Sequence, residues 1–164
     1  AMEADVSSVY ANQLNPVLNK LLYHGRTRFG DQRIFSRQEG MRTIVKSLRE
    51  GRPLYYLPDL DYGPRDAIFV PFFGVQTATI PGLSRLAKLG NAKVLPCIAH
   101  MLPNAQGYKL EIGTAWENFP TEDIEADTRR MNEFIEQKVR QMPEQYYWVH
   151  KRFKTRPPGE GKLY

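Results

Sequence analysis

The chain has 164 residues, of which 41% are hydrophobic and 25% charged; this suits one globular domain, or part of a larger one, and excludes a fibrous or wholly disordered protein. No run approaches eighteen consecutive apolar residues, so no segment of this chain forms an apolar membrane-spanning helix, and its first residues lack the basic-then-apolar pattern of a secretory signal. The net charge of +5 makes an anionic partner plausible without naming one.

Ala1 before Met2 reads as a cloning remnant, and residues 1–8 are expected to be remnant or linker. Asn15-Pro16 predicts a helix start, with Asn15 as cap and Pro16 at the first helical position. Val17, Leu18, Leu21 and Leu22 then share a face, and Gly25 is the expected stop. Ser36-Arg37-Gln38-Glu39 has the form of a capping box. Met41, Ile44, Val45 and Leu48 follow at helical spacing up to Gly51, with Arg42, Lys46 and Arg49 on the other face.

Leu54 to Leu57 is apolar without alternation, which predicts a buried strand ending in the polar loop from Pro58 to Arg65. Ile68 to Phe73 predicts a second strand, closed by Gly74. A helix is expected from Thr79-Ile80-Pro81 to Gly90, then a strand from Lys93 to Met101. Tyr108, Leu110 and Ile112 alternate as in a half-exposed strand. Thr121, Glu122 and Asp123 open a long helix with acids at its positive end. Its apolar stripe is Ile124, Met131, Phe134, Ile135 and Met142. Tyr147 to Lys151 mix aromatic and basic types and read as a partly buried amphipathic end-helix, or as a contact for nucleic acid or a membrane surface, and the Pro/Gly-rich residues 155–164 read as a flexible tail. Strands separated by helices give an α/β class: a mixed, largely parallel sheet flanked by helices, over residues 9–154.

The charge is segregated. Between His24 and Arg52 eight basic residues face three acids; between Glu117 and Glu136 seven acids face Arg129 and Arg130; the last fifteen residues are again basic. Such blocks are commonly solvated faces. Ligands of α/β sheets gather beyond the carboxyl ends of strands, where the loop after Leu57 concentrates Asp59, Asp61, Tyr62 and Arg65. These residues can close a well-capped turn, or clamp a substrate headgroup with Arg65 on an anion. Arg26 and Arg28, beside Gly25, suit a phosphate or carboxylate. A lone Cys97 excludes an internal disulfide and a multi-cysteine metal site, is compatible with a reducing compartment, and lies in an apolar run expected to be core. His24, His100 and His150 share no metal-ligand spacing, and no glycine-rich nucleotide loop is present. No metal or cofactor is therefore expected.

Longer strings carry more than periodicity. LYYLPDLDYGPRDAIFVPFFGVQTAT, at residues 54–79, and PEQYYWVHKRFKTRPPGE, at residues 143–160, resemble two ordered signatures of the late acyltransferases of lipid A biosynthesis. Residues 15–51 resemble that family's substrate-site helix region, and the likeness runs from about Val9 to Tyr164. It implies acyl transfer from an acyl carrier protein thioester to a hydroxyl of a phosphorylated Kdo-lipid A precursor, at the cytoplasmic face of the bacterial inner membrane. The wider superfamily uses a His-x-x-x-x-Asp/Glu base motif. No histidine here is followed five residues later by an acid, so no catalytic residue is assigned within this chain, which is expected to be inactive alone.

The resemblance places the family's arginine on Arg26, with Arg28 beside it, and its loop aspartate on Asp59, followed by Asp61, Tyr62 and Arg65; all six are expected to bind substrate or organise the site. The chain is expected to be a soluble C-terminal portion of the acyltransferase domain. Its partners would be the carrier protein, the lipid A precursor, a membrane surface and, through surface bared by truncation, a second copy, but not nucleic acid. The alternative from charge alone is a non-enzymatic basic module for nucleic acid or anionic membrane.

Overall fold

Parallel pairing begins at the first ordered strand of the computed structural model, which describes residues 6–28, 30, 32–36 and 39–164. Strand β1 (Ser7–Tyr10) lies between β2 (Arg33–Ser36) and β3 (Leu54–Tyr55), parallel to both, and Ser7 donates its N–H and hydroxyl to Pro53 O. Parallel neighbours need crossovers, supplied here by α1 (Pro16–Thr27) and α2 (Met41–Arg49). Asn15 caps α1 as expected, its side chain accepting from the Val17 and Leu18 amides. The helix passes through Gly25 to Thr27, whose hydroxyl donates to Tyr23 O. None of its residues is buried, so the Val17–Leu22 stripe faces outward.

Half of the expected capping box is present: Glu39 Oε1 accepts from the Ser36 amide at 2.7 Å, while Gly40 takes the cap position of α2 without a side-chain bond. Arg37 and Gln38, like residues 1–5, lie outside the described residues. Gly51, at φ 84°, stops the helix by donating to Leu48 O. The predicted buried strand at Leu54 to Leu57 is corrected. Only two of its residues pair, at the sheet edge, and burial alternates, leaving Tyr55 and Leu57 exposed. Ile34 and Phe35 are the buried apolar centre of this first unit, Ala1–Leu57 with Leu89–Ala92.

The second unit, Pro58–Lys88 with Lys93–Tyr164, is built on antiparallel hairpins. Strand β4 (Ile68–Phe72) turns at Phe73-Gly74, both at positive φ, and returns as β5 (Val75–Thr79). Two residues at positive φ match the twist of flanking strands. The sequence reading stopped the strand at Gly74 and missed β5, because a bulky residue in this conformation is uncommon; the Phe73 ring packs edge-on against Phe72 at 4.9 Å. Helix α3 (Gly82–Gly90) and the hairpin of β6 (Cys97–Met101) and β7 (Tyr108–Ile112) follow.

Helix α4 (Ile124–Gln141) starts at Asp123, which caps the Ala126 amide, slightly later than expected. Its inward residues are Asp127, Thr128, Met131, Asn132 and Val139. Asp127 accepts from the Ser84 and Thr121 hydroxyls and the Thr121 amide, and Asn132 Nδ2 donates to Pro71 O at 3.0 Å. Polar positions thus form part of the buried stripe because partners await them. No α-helix forms at Tyr147 to Lys151; short 3₁₀ turns at Pro143–Gln145 and Trp148–His150 carry the chain instead. The fold is α/β with mixed pairing, its parallel part confined to β1, β2 and β3.

Candidate functional site

The loop after β3 owes its shape to two carboxylates with different surroundings. Asp61 is 3% exposed. It accepts from the Gly63 amide at 2.8 Å, the Thr155 amide at 3.0 Å and the Thr155 hydroxyl at 2.9 Å. The first bond closes a turn at Gly63, whose φ of 89° favours glycine. The other two join residues 94 positions apart, so the C-terminal segment is a strap across the loop. Arg156 continues the strap, donating to Gln76 O and pairing with Glu160.

Asp59 is half-buried and lies within electrostatic reach of Tyr146 and Arg152, in a different part of the strap. Arg152 is fully buried: it donates to Ala78 O at 2.8 Å and Thr79 Oγ1 at 2.7 Å, and lies over the Phe72 ring at 5.2 Å. A guanidinium out of water costs several kcal/mol unless opposite charge and hydrogen bonds compensate. Burial accordingly pulls Arg152 below its ordinary pKa, while Tyr146, Asp59 and Asp61 push it back up. Tyr146 is driven the other way, well above the usual phenol value, first by burial and then by the Asp59 charge, with Arg152 opposing. Its hydroxyl faces Asp59 electrostatically without closing a hydrogen bond of ordinary geometry; that oxygen, Arg152 Nε and His150 Nε2 are buried without a partner. The assembly sets two carboxylates around one buried cation, with a phenol held neutral beside Asp59.

Tyr62 and Arg65 are exposed on the same loop, so the structure gathers four of the six sequence-identified residues within the second unit. Arg26 and Arg28 lie in the first unit, exposed at the C-terminal end of α1, where the helix dipole favours cations. Sequence reasoning missed Tyr146, Arg152 and Thr155, although the string that contains them was singled out. No local pattern announces that a basic tail residue will be buried 73 residues from its acceptor. Among the described residues no group of His, Cys, Asp and Glu could hold a metal ion, and no helix is long and apolar enough to cross a membrane.

A basic groove also lies within the first unit. Met41, Val45 and Leu89 line it with Arg42, Lys46, Arg49 and Glu50, around a volume of about 470 Å³. Arg49 Nε donates to Leu89 O at 2.9 Å, and Lys46 lies 3.8 Å from Glu50.

Relatives share most of this chain. It is 36% identical to an Escherichia coli lipid A biosynthesis lauroyltransferase over 157 residues, covering 95% of this chain and 51% of that protein. A Haemophilus influenzae lipid A biosynthesis acyltransferase is 38% identical over 155 residues, with 94% and 48% covered. An E. coli lipid A biosynthesis myristoyltransferase is 36% identical over 159 residues, with 97% and 49% covered. The chain thus spans about half the length of these curated relatives. Residues 2–155 match the family described as bacterial lipid A biosynthesis acyltransferase. With that match over nearly its whole length, the chain belongs to the bacterial lipid A biosynthesis acyltransferase family.

Proposed function

We propose that this chain supplies the acceptor-binding part of an enzyme that moves a fatty acyl group from an acyl carrier protein thioester to a hydroxyl of a Kdo-modified lipid A precursor. The observation that carries the reading is the pinned loop that bears Asp59: Asp61 ties it to the strap, whose Arg152 and Tyr146 lie within electrostatic reach of the Asp59 carboxylate. A carboxylate on a pinned loop accepts hydrogen bonds from sugar hydroxyls at little cost in ordering. Arg65 and Tyr62, exposed beside it, meet the anionic and polar edges of the headgroup. Arg26 and Arg28 bind phosphate, for which a planar guanidinium is suited. Asp61 serves the loop's architecture, since both its oxygens are already engaged. The proton-accepting histidine of the superfamily would come from outside this chain.

Two surfaces suit the partners. The α2 groove combines an apolar floor with Arg42, Lys46 and Arg49, matching an acidic carrier protein in charge. The outward stripe of α1, next to Lys20, Arg26 and Arg28, suits an anionic lipid surface at the cytoplasmic face of the inner membrane.

The test uses a protein containing both this chain and the base motif, assayed with acyl carrier protein thioester and Kdo-lipid A precursor. Arg26→Ala and Asp59→Ala should each lower kcat/KM by about 100-fold or more, the scale of losing a charged contact in the transition state. Arg42→Glu with Lys46→Glu should raise KM for the carrier protein and leave KM for the acceptor unchanged. Near-normal turnover by the Arg26 or Asp59 variant would overturn the site assignment.

A further inference from the structure

The β6–β7 hairpin is amphipathic with its apolar side turned outward. The register pairs Cys97 with Ile112, Ala99 with Leu110, and Met101 with Tyr108. Directly paired residues point to one face of a sheet, so these six side chains form a single surface without a charge. All six are exposed; Met101 retains 58% of its surface, Tyr108 76%, Leu110 59% and Ile112 63%. Ile98, His100, Lys109 and Glu111 occupy the opposite face. There Glu111 accepts from Lys138 of α4 at 2.7 Å and bonds His100 at 3.1 Å, while Gln145 pairs with the Met101 backbone at the strand edge. A solvated sheet face would carry the opposite pattern, polar out and apolar in.

We propose that this outward face is the seat of the part of the acyltransferase fold that the matched relatives carry beyond the half shared with this chain. The inference rests on family membership and not on the substrate reading. The hairpin is a two-stranded antiparallel sheet of its own; such a sheet ordinarily turns its polar face to water, yet here α4 is tied to the charged face and the apolar face is exposed. Relatives twice this length have chain enough for a second layer. Size favours that occupant over a second copy. Two strands of five residues, at about 3.4 Å per residue and about 5 Å apart, present a footprint on the order of 200 Å². Stable association of separate molecules takes about 800 Å² from each partner. A covering layer in the same polypeptide pays no association entropy and needs no such area. The packing would involve shape and apolar contact only, with Tyr108 as the largest anchor.

Cys97 reports on the face directly, being the only cysteine and exposed. Its maleimide labelling rate is measured in this chain alone and in a chimera where the chain replaces the matched half of the E. coli lauroyltransferase. Native cysteines of the relative are removed. Labelling should slow at least tenfold in the chimera. Leu110→Glu should restore fast labelling there. Cys97 labelling at the free-chain rate in a folded chimera would overturn the proposal, as would failure of the chimera to fold. Protection that grows with concentration of the chain alone would assign the face to a second copy, and protection only by anionic vesicles would assign it to lipid; either also overturns the proposal. Labelling is read without acyl transfer, so an inactive but protected chimera counts against the function proposed above and not against this surface.

Discussion

Asp61 accepts three hydrogen bonds while keeping 3% of its surface, and Tyr146 buries a hydroxyl that has none. These two residues lead to opposite expectations. Asp61→Asn places an amide N–H₂ against donors that need an acceptor and should destabilise the chain by about 2–3 kcal/mol. Urea melts at neutral pH measure it, and a change below about 0.5 kcal/mol would remove Asp61 as the strap's anchor. Tyr146→Phe deletes an unpaired buried group and should be neutral or stabilising by up to about 1 kcal/mol. The phenol also sets an alkaline limit. Its pKa is raised in the folded chain, so its contribution is complete below the unfolded value near 10 and is lost as pH climbs above it. The stability advantage of Tyr146→Phe should therefore grow above pH 10; parallel curves for the two proteins would contradict the burial of that hydroxyl.

Between elements, one glycine reverses a familiar rule. Alanine at a helical glycine ordinarily gains about 1 kcal/mol. A Cβ on Gly90, at the end of α3, would stand 2.8 Å from Leu48 Cδ1 and 2.9 Å from its Cβ, on α2. The second atom belongs to the stem of the side chain and cannot swing away. Gly90→Ala should cost about 1–3 kcal/mol as overpacking. The check is a double-mutant cycle: in a Leu48→Gly background, which removes both clashing atoms, the same change should become neutral or favourable. An equal penalty in both backgrounds would place the strain elsewhere. At this scale the sequence was most legible where chemistry is local. Asn15 at the start of α1 and Gly51 after α2 act through bonds within a few residues. It was least legible at β5, where Phe73 adopts a conformation that its type disfavours.

At the scale of the whole chain, two units are present, each with its own sheet system, and the sequence-identified arginines fall in one and the carboxylates in the other. The family match covers residues 2–155, yet the relatives are about twice as long. No histidine is followed by an acid at the superfamily's spacing. The chain alone should therefore give no acyl product with carrier protein thioester and Kdo-lipid A precursor, followed by mass spectrometry of the lipid. Turnover at a rate within tenfold of an intact relative would show that proton transfer can be managed by residues present here.

The sequence by itself determined the family, the Asn15 cap of α1, the Gly51 stop of α2 and the two clusters in which candidate residues lie, because each depends on residue order over short stretches or on long matching strings. Only the tertiary structure decided which carboxylate the fold itself uses up. Asp59 and Asp61 differ by two positions, and the difference between them is made by Thr155 and Arg152, which arrive from the far end of the chain. It also decided where the apolar alternation of β7 points. Period-two hydrophobicity marks a face without saying whether that face is covered, and here the covered face is the polar one, held by Glu111 and Lys138.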